Sequence, residues 1–269
     1  MARAFPAIIL WLSSLAGAAP PLPLFDAHIH YSSDAWNGLP VHEALAILDR
    51  AGITRALVSS TPDDGTLKLH QAAPARIVPE LRPYRRPEDM SLWHRDPSVV
   101  PYIEERLRRG GYRGIGEFHL APGQGATPVV RRVVELAVAR EIPIHVHCNA
   151  AALEELLALD SRVKVLWAHA GMSEPPPTVE RMIELHPRLW VELSYRLDDV
   201  APGGRLDAAW RELFLRHPAR FLYGSDTWTP SRWTEVPALA RSARNWLGEL
   251  PPEVAEGIAW RNAEALYGN

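Results

Sequence analysis

The chain has 269 residues and a mass of 30.0 kDa, and its 47% hydrophobic content is typical of a globular protein. Its 29 Lys and Arg residues against 32 Asp and Glu residues give a net charge of −3, which argues against nucleic acid as the main partner because phosphate binding requires a concentrated basic surface. The single cysteine, Cys148, excludes an internal disulfide and a cysteine-based zinc site, so the 11 histidines are the candidates for unusual chemistry.

The first residues have the pattern of a secretory signal peptide. Arg3 precedes an apolar run over residues 4–15, and small residues follow at positions 16–19. The run is shorter than the roughly 20 apolar residues of a membrane span, so no stable membrane insertion is expected after its removal. An apolar first helix or strand is the alternative, and Pro6 and the PPLP stretch weigh against it. We therefore expect a leader over residues 1–19 and an exported protein, periplasmic or secreted.

Short apolar strands alternate with helical stretches along the remaining chain. Strands are predicted at residues 24–30, 54–59, 77–82, 114–119, 142–147, 163–169, 189–194 and 220–225. Helices are predicted at residues 41–51, 98–109, 128–140, 151–159, 178–186 and 207–216, and two more follow the eighth strand at residues 234–246 and 251–265. Such alternation predicts a parallel sheet with right-handed crossovers.

Eight such units in about 250 residues predict an α/β fold, a single (β/α)₈ TIM barrel with an extra C-terminal helix, over residues 20–269. An open doubly wound sheet is the alternative architecture. It would normally carry a glycine-rich phosphate turn after an early strand, and none is present.

Polar side chains at the ends of these strands suggest a metal site. His28 and His30 are two apart on the first strand (FDAHIH), so both imidazoles point to the same side. Taken alone, this pair is more often a packed or surface pair than a metal site.

Further polar residues end four later strands, and they strengthen the metal hypothesis. Glu117 ends the fourth strand, His147 the fifth, His169 the sixth and Asp226 the eighth. In a barrel these ends converge on the face where active sites are built. Burying several histidines and carboxylates together is costly, and a divalent cation satisfies them all.

The motifs resemble those of the amidohydrolase superfamily, specifically its amidohydrolase-related (family 2) type. The likeness extends from FDAHIH to the terminal WRNAEALYG and includes the GSD segment at residues 224–226. The superfamily's first-strand histidine pair falls on His28 and His30, and its later ligands fall on His147, His169 and Asp226. The resemblance implies a metal-dependent barrel, in most members a hydrolase and in some a non-oxidative decarboxylase. Many binuclear members have a carboxylated lysine where this chain has Glu117, which either bridges two ions, as in other branches, or binds none.

The expected metal ligands are drawn from six residues: His28, His30, Glu117, His147, His169 and Asp226. The expected cofactor is one or two divalent ions, zinc in the first place with manganese or nickel as alternatives. Such an ion lowers the pKa of bound water toward about 7 and polarises the scissile carbonyl or phosphoryl oxygen. Asp226 is the predicted acid/base residue, and His169 binds a second ion or faces the substrate.

Three residues are candidates for substrate contact. Arg82 either clamps a carboxylate or phosphate or belongs to a solvated charge run with Arg85 and Arg86. His119 is a substrate group or a loop cap. Trp228 lies, like Trp93 and Trp233, in a strand-to-helix loop, and these tryptophans would wall an apolar pocket. His145 is expected deeper in the core or behind a metal ligand.

The leading functional hypothesis is an exported metal-dependent hydrolase that cleaves a C–N, C–O, ester or lactone bond of a small molecule. A metal-dependent decarboxylase on the same scaffold is the alternative, and Arg82 facing the pocket would favour it. A catalytically inactive binding barrel is the third hypothesis. A small-molecule substrate is the expected partner, and a homo-oligomer is compatible with the sequence.

Overall fold

The computed structural model describes residues 21–268, so the predicted leader, residues 1–19, lies outside the described part of the chain. Eight parallel strands pair in sequence order. They are β1 (Leu24–Ile29), β2 (Ile53–Val58), β3 (Ile77–Leu81), β4 (Gly114–His119), β5 (Ile144–His147), β6 (Val165–Trp167), β7 (Leu189–Glu192) and β8 (Phe221–Leu222). The predicted TIM-barrel fold is confirmed.

Helices cover the outside of this barrel. They are α1 (Val41–Ala51), α2 (Asp64–Ala72), α3 (Val99–Arg109), α4 (Pro128–Arg140), α5 (Ala150–Leu157), α6 (Pro176–Leu185), α7 (Leu197–Val200), α8 (Ala208–Arg216), α9 (Val236–Leu247), α10 (Pro252–Glu256) and α11 (Asn262–Tyr267). A π-helical turn, Gly257–Arg261, joins the last two and completes the predicted C-terminal extension. No helix within residues 21–268 is long and apolar enough to cross a membrane.

Besides the four-residue α7, helix α2 is missing from the sequence-based prediction. Its two leucines, Leu67 and Leu69, are two residues apart, and only Leu69 is buried, so the segment lacks a helical apolar stripe. Gly65 near its start packs so closely that a Cβ there would overlap the backbone oxygen of Tyr31. Tertiary packing therefore holds α2 where the local pattern does not predict it.

Backbone bonds beyond the short β8 close the barrel. The amide of Ala27 donates to the carbonyl of Tyr223 (2.9 Å), and the amide of Asp226 donates to the carbonyl of His28 (2.8 Å). The buried carboxylate of Asp26 also accepts from the amide of Ser225 (3.0 Å). These bonds bring Asp226 directly beside the two histidines of β1.

Asn262 fastens the C-terminal helices to the base of β8. Its buried side-chain amide donates to the carbonyls of Pro218 (2.8 Å) and Phe221 (2.9 Å). We expect Asn262→Ala to lower the free energy of unfolding by about 1–3 kcal/mol, because the buried carbonyl of Phe221 and the partly buried carbonyl of Pro218 lose their donor. Urea unfolding measures the change. The exposed Asn245 is the control, and equal effects of Asn245→Ala and Asn262→Ala would contradict this role.

Candidate metal centre

His28 and His30 direct one ring nitrogen each to a common point above β1. Nδ1 of His30 donates to the carbonyl of Ser59 (2.7 Å), and Nδ1 of His28 donates to the carboxylate of Glu192 (3.0 Å). Because both acceptors are oxygens, each ring in its neutral form carries its proton on Nδ1 and its lone pair on Nε2. The two Nε2 atoms lie 3.1 Å apart, facing the barrel mouth.

Two carboxylates complete this group of donor atoms. Oε2 of Glu117 lies 3.6 and 3.3 Å from Nε2 of His28 and His30, and Oδ1 of Asp226 lies 3.6 and 3.4 Å from the same two atoms. Oδ1 of Asp226 is buried without a hydrogen-bond partner among the described residues. Four donors arranged tetrahedrally around zinc lie about 3.4 Å apart. The residues therefore fit a divalent cation.

The second oxygen of Glu117 faces a different pair of histidines. Its Oε1 lies 3.0 Å from Nδ1 of His147 and 3.6 Å from Nε2 of His169, which also lies 3.8 Å from Oδ2 of Asp226. Nδ1 of His169 is held by the hydroxyl of Ser194 (2.9 Å). The carboxylate of Glu117 thus stands between two groups of imidazoles, which is the arrangement that a bridging ligand requires.

The electrostatics of the group favour a positive charge at its centre. Burial opposes the imidazolium of His28, but the carboxylates of Asp226 and Glu117 outweigh it and raise the pKa of His28 well above its usual value. Burial and the cation of Arg82 lower the pKa of His30, so this ring stays neutral, the form that binds metals. Burial disfavours the anion of Glu117, but neighbouring histidines hold its pKa well below the usual range.

A glycine lets β4 carry Glu117 into this position. A Cβ on Gly116 would lie 2.6 Å from the Cβ of His145, so only glycine permits the two strands to come this close. His145 points deeper into the barrel, where its Nδ1 meets the carboxylate of Glu80 (3.2 Å). His147, rather than His145, is therefore the histidine of β5 that faces the site.

The three predicted substrate residues all border a cavity of about 380 Å³ over these donors. Its lining comprises Arg82, Met90, Glu117, His119, His147, His169, Met172, Tyr195, Asp226 and Trp228.

Arg82 is buried and is used inside the site. Its Nε donates to the carbonyl of Glu117 (2.9 Å) and its Nη2 to Oε2 of the same residue (3.0 Å). Arg85 bonds instead to Asp89 and Asp96. Arg82 therefore does not belong to a solvated charge run. Two of its three guanidinium nitrogens hold Glu117 in position.

Of the remaining candidates, His119 and Trp228 line the cavity, whereas the other tryptophans support the loops around it. His119 stacks on His147 (4.3 Å between centroids), and burial lowers its pKa to about 3, so it is neutral. Trp228 is exposed at the rim of the cavity. Trp93 and Trp233 are buried and donate to the carbonyls of His119 and His30, so they support the loops and do not wall the pocket.

Glu192, the last residue of β7, is a site residue that sequence reasoning missed. Its carboxylate accepts from Nδ1 of His28, from the amide of His169 (3.2 Å) and from the hydroxyl of Ser194 (2.9 Å). Burial alone would raise its pKa, but His28 and neighbouring histidines lower it to about 2. A Cβ on Gly224 would overlap this carboxylate. The sequence does contain a signal for Glu192, because the apolar stretch LWVE ends on this glutamate just as GIGE ends on Glu117.

We expect Glu192→Gln to raise the metal dissociation constant by about 10–100-fold, because a carboxylate that holds a ligating histidine orients its ring and increases its basicity. Titration against a competing chelator measures the constant. The exposed Glu253 supplies the control, Glu253→Gln. Equal metal affinity in the Glu192→Gln variant and the native protein would show that His28 is oriented without Glu192.

Comparison with known proteins places these motifs in context. The model of the family described as amidohydrolase matches residues 25–269. No curated protein matches the sequence.

Solved structures share the fold at low sequence identity. A candidate 2-pyrone-4,6-dicarboxylic acid hydrolase from Pseudomonas putida is 19% identical, with a TM-score of 0.66 over 92% of this chain and 98% of that one. A probable enzyme of the same description from Acinetobacter baumannii, with citric acid bound, is 14% identical, with a TM-score of 0.60 over 92% and 100%. An amidohydrolase 2 from Bifidobacterium longum subsp. infantis is 17% identical, with a TM-score of 0.57 over 91% and 98%.

Proposed function

The chain belongs to the amidohydrolase family, and from that premise we propose that it hydrolyses an ester, lactone or amide-type bond of a small molecule at a centre of two divalent ions. The single observation that carries the proposal is the position of Glu117, whose two oxygens face separate pairs of histidines. The unpartnered oxygen of Asp226 beside the first pair supports it.

The proposed ligands follow from the donor atoms. His28, His30 and Asp226 would hold one ion and His147 and His169 the other, with Glu117 between them. When bound, the ions supply Lewis acidity, which acidifies water and polarises a carbonyl oxygen. Zinc is the proposed metal because imidazole and carboxylate groups are among the ligands that it prefers. Manganese and nickel are the alternative metals.

Asp226 is the proposed acid/base residue. It borders the cavity, and its Oδ2 lies on the side of His169. Its carboxylate would accept the proton of the attacking water and return it to the leaving group. Arg82 keeps the carboxylate of Glu117 in place from behind.

The experiment loads chelator-treated protein with zinc, manganese or nickel and measures bound metal and turnover on panels of esters, lactones, amides and phosphoesters. We expect two ions per chain and hydrolysis in at least one panel. Protein that retains no ion under any condition would overturn the proposal. Release of carbon dioxide from aromatic or unsaturated acids would assign the decarboxylase, and full loading without any turnover would assign the binding barrel.

The dicarboxylic acid named for two of the structural neighbours is not the substrate that we propose here. The two proposed ions would hold the scissile carbonyl, so each carboxylate of such a substrate needs a further cationic partner in the buried site. Among the described residues that line the cavity, the arginine is Arg82, and two of its nitrogens are bonded to Glu117. Arg82 does border the cavity, as the decarboxylase alternative expects, but with two of its three nitrogens bonded to Glu117 it has one left for a substrate carboxylate.

We also propose that the protein is exported. Support comes from the sequence of residues 1–19, with its basic start, apolar run and small residues. Expression of the full chain in a bacterial host, followed by fractionation and N-terminal sequencing, tests this. A shortened protein in the periplasm or medium is expected, and full-length protein retained in the cytoplasm would contradict export.

A further inference from the structure

Four exposed apolar side chains are gathered at the mouth of the metal-site cavity. Met90, Met172, Tyr195 and Trp228 each line the cavity and are 40%, 44%, 41% and 58% exposed. They come from the loops that follow β3, β6, β7 and β8, so four separate segments deliver apolar surface to one place. We call these four residues the apolar rim.

The aromatic half of the apolar rim is held in a defined position. The indole Nε1 of Trp228 donates to the hydroxyl of Tyr195. The guanidinium of Arg232 lies 3.8 Å from the centre of the Tyr195 ring, on its face. Tyr195 itself has φ of 59°, a conformation that a tyrosine seldom adopts without surrounding support. The rings therefore form a preorganised wall, which lowers the entropy cost of binding a ligand against them.

The floor of the same cavity has the opposite character. Glu117, His147, His169 and Asp226 form it, with Arg82 behind Glu117. A ligand that fills the cavity thus meets polar donors at one end and thioethers and aromatic rings at the other. Exposed apolar surface that faces into a concave polar site is more suited to a small molecule than to the flat face of a protein partner.

We propose that the apolar rim determines specificity, and that the substrate carries an aromatic or bulky aliphatic group next to its scissile carbonyl. This inference rests on the proposed function, since the metal centre fixes the carbonyl end. The apolar group lies against Trp228 and Tyr195, and Met90 and Met172 adapt to its outline. Burying it there removes water from both surfaces.

The test uses two metal-chelating probes that differ only in the group beside the carbonyl, acetohydroxamate (methyl) and benzohydroxamate (phenyl). Calorimetric titration of the zinc-loaded full chain gives both dissociation constants. We expect benzohydroxamate to bind about tenfold tighter, because its ring stacks on the rim. In Trp228→Ala most of that preference is lost, while the affinity for acetohydroxamate changes by about twofold or less.

Leu185 provides a matched control, because its side chain is also 58% exposed and lies at the end of α6, outside the cavity lining. Leu185→Ala should leave the preference for the phenyl probe unchanged. Met172→Ser is a second rim variant and should reduce the preference in the same direction as Trp228→Ala.

The outcomes separate the two proposals. If both probes bind with equal affinity and the rim variants change neither, the apolar rim has no role in specificity, while the metal centre stands. If the chelator-treated chain takes up no zinc, the metal centre is wrong and the inference falls with it.

Discussion

Asp226→Asn is expected to reduce kcat/KM by about 10³-fold, since general acid–base catalysis typically contributes about 10²–10⁴-fold. Asparagine keeps an oxygen beside the imidazoles of His28 and His30 but can no longer accept the proton of the attacking water. The measurement is kcat/KM for the best substrate of the hydrolase panels, together with bound metal for each preparation.

Metal content decides how this result is interpreted. Loss of activity with retained metal assigns the proton transfer to Asp226, whereas joint loss of both makes Asp226 mainly a ligand. The exposed Asp198 on α7 is the control, and Asp198→Asn should behave as the native protein. An Asp226→Asn variant with full metal and activity within about tenfold of the native protein would contradict the assignment.

Glu117→Gln is expected to reduce the bound metal from two ions to one per chain and kcat by about 10²-fold or more. The physical reason is that the two oxygens of the Glu117 carboxylate face different histidines. Oε2 lies beside His28 and His30, and Oε1 lies beside His147. An amide presents one oxygen and one NH₂ group, and the NH₂ group has no lone pair to offer a metal. Glutamine can therefore serve only one side of the centre.

Glu80→Gln is the matched control for this variant. Glu80 and Glu117 are equally buried carboxylates on neighbouring strands, but Glu80 faces His145 deeper in the barrel. The control should keep its full metal content, as measured by elemental analysis after dialysis. Equal metal stoichiometry in Glu117→Gln and the native protein would show that Glu117 bridges nothing.

Much of the barrel is predictable because its elements are locally encoded. The bounds of β4, α1 and α4 agree with the predicted ranges, since each has a regular apolar period and clear end signals. Strand β8 is shorter than predicted, two residues instead of six, because after Leu222 the chain leaves the ladder to pair with β1. Helix α2 was missed because long-range contacts, such as Gly65 against Tyr31, stabilise it.

The sequence by itself determined the fold and the set of six candidate ligands. The ligand candidates are readable because each one lies at or within four residues of the carboxyl end of an apolar strand, and parallel strands in a barrel bring these ends to one face. His169 and Asp226, predicted as the last residues of their strands, lie two and four residues beyond β6 and β8. The period of two then places His28 and His30 on the same side of β1. These rules are local, so no contact between distant residues had to be known.

Only the tertiary structure decided how those residues are used. The two oxygens of Glu117 face different histidines, and Arg82 donates a hydrogen bond to one of them. Glu192 accepts a hydrogen bond from Nδ1 of His28. The tertiary structure also gathers the apolar rim from four loops. Side-chain rotamers and loop paths depend on contacts between segments far apart in the chain, and no spacing along the sequence encodes them.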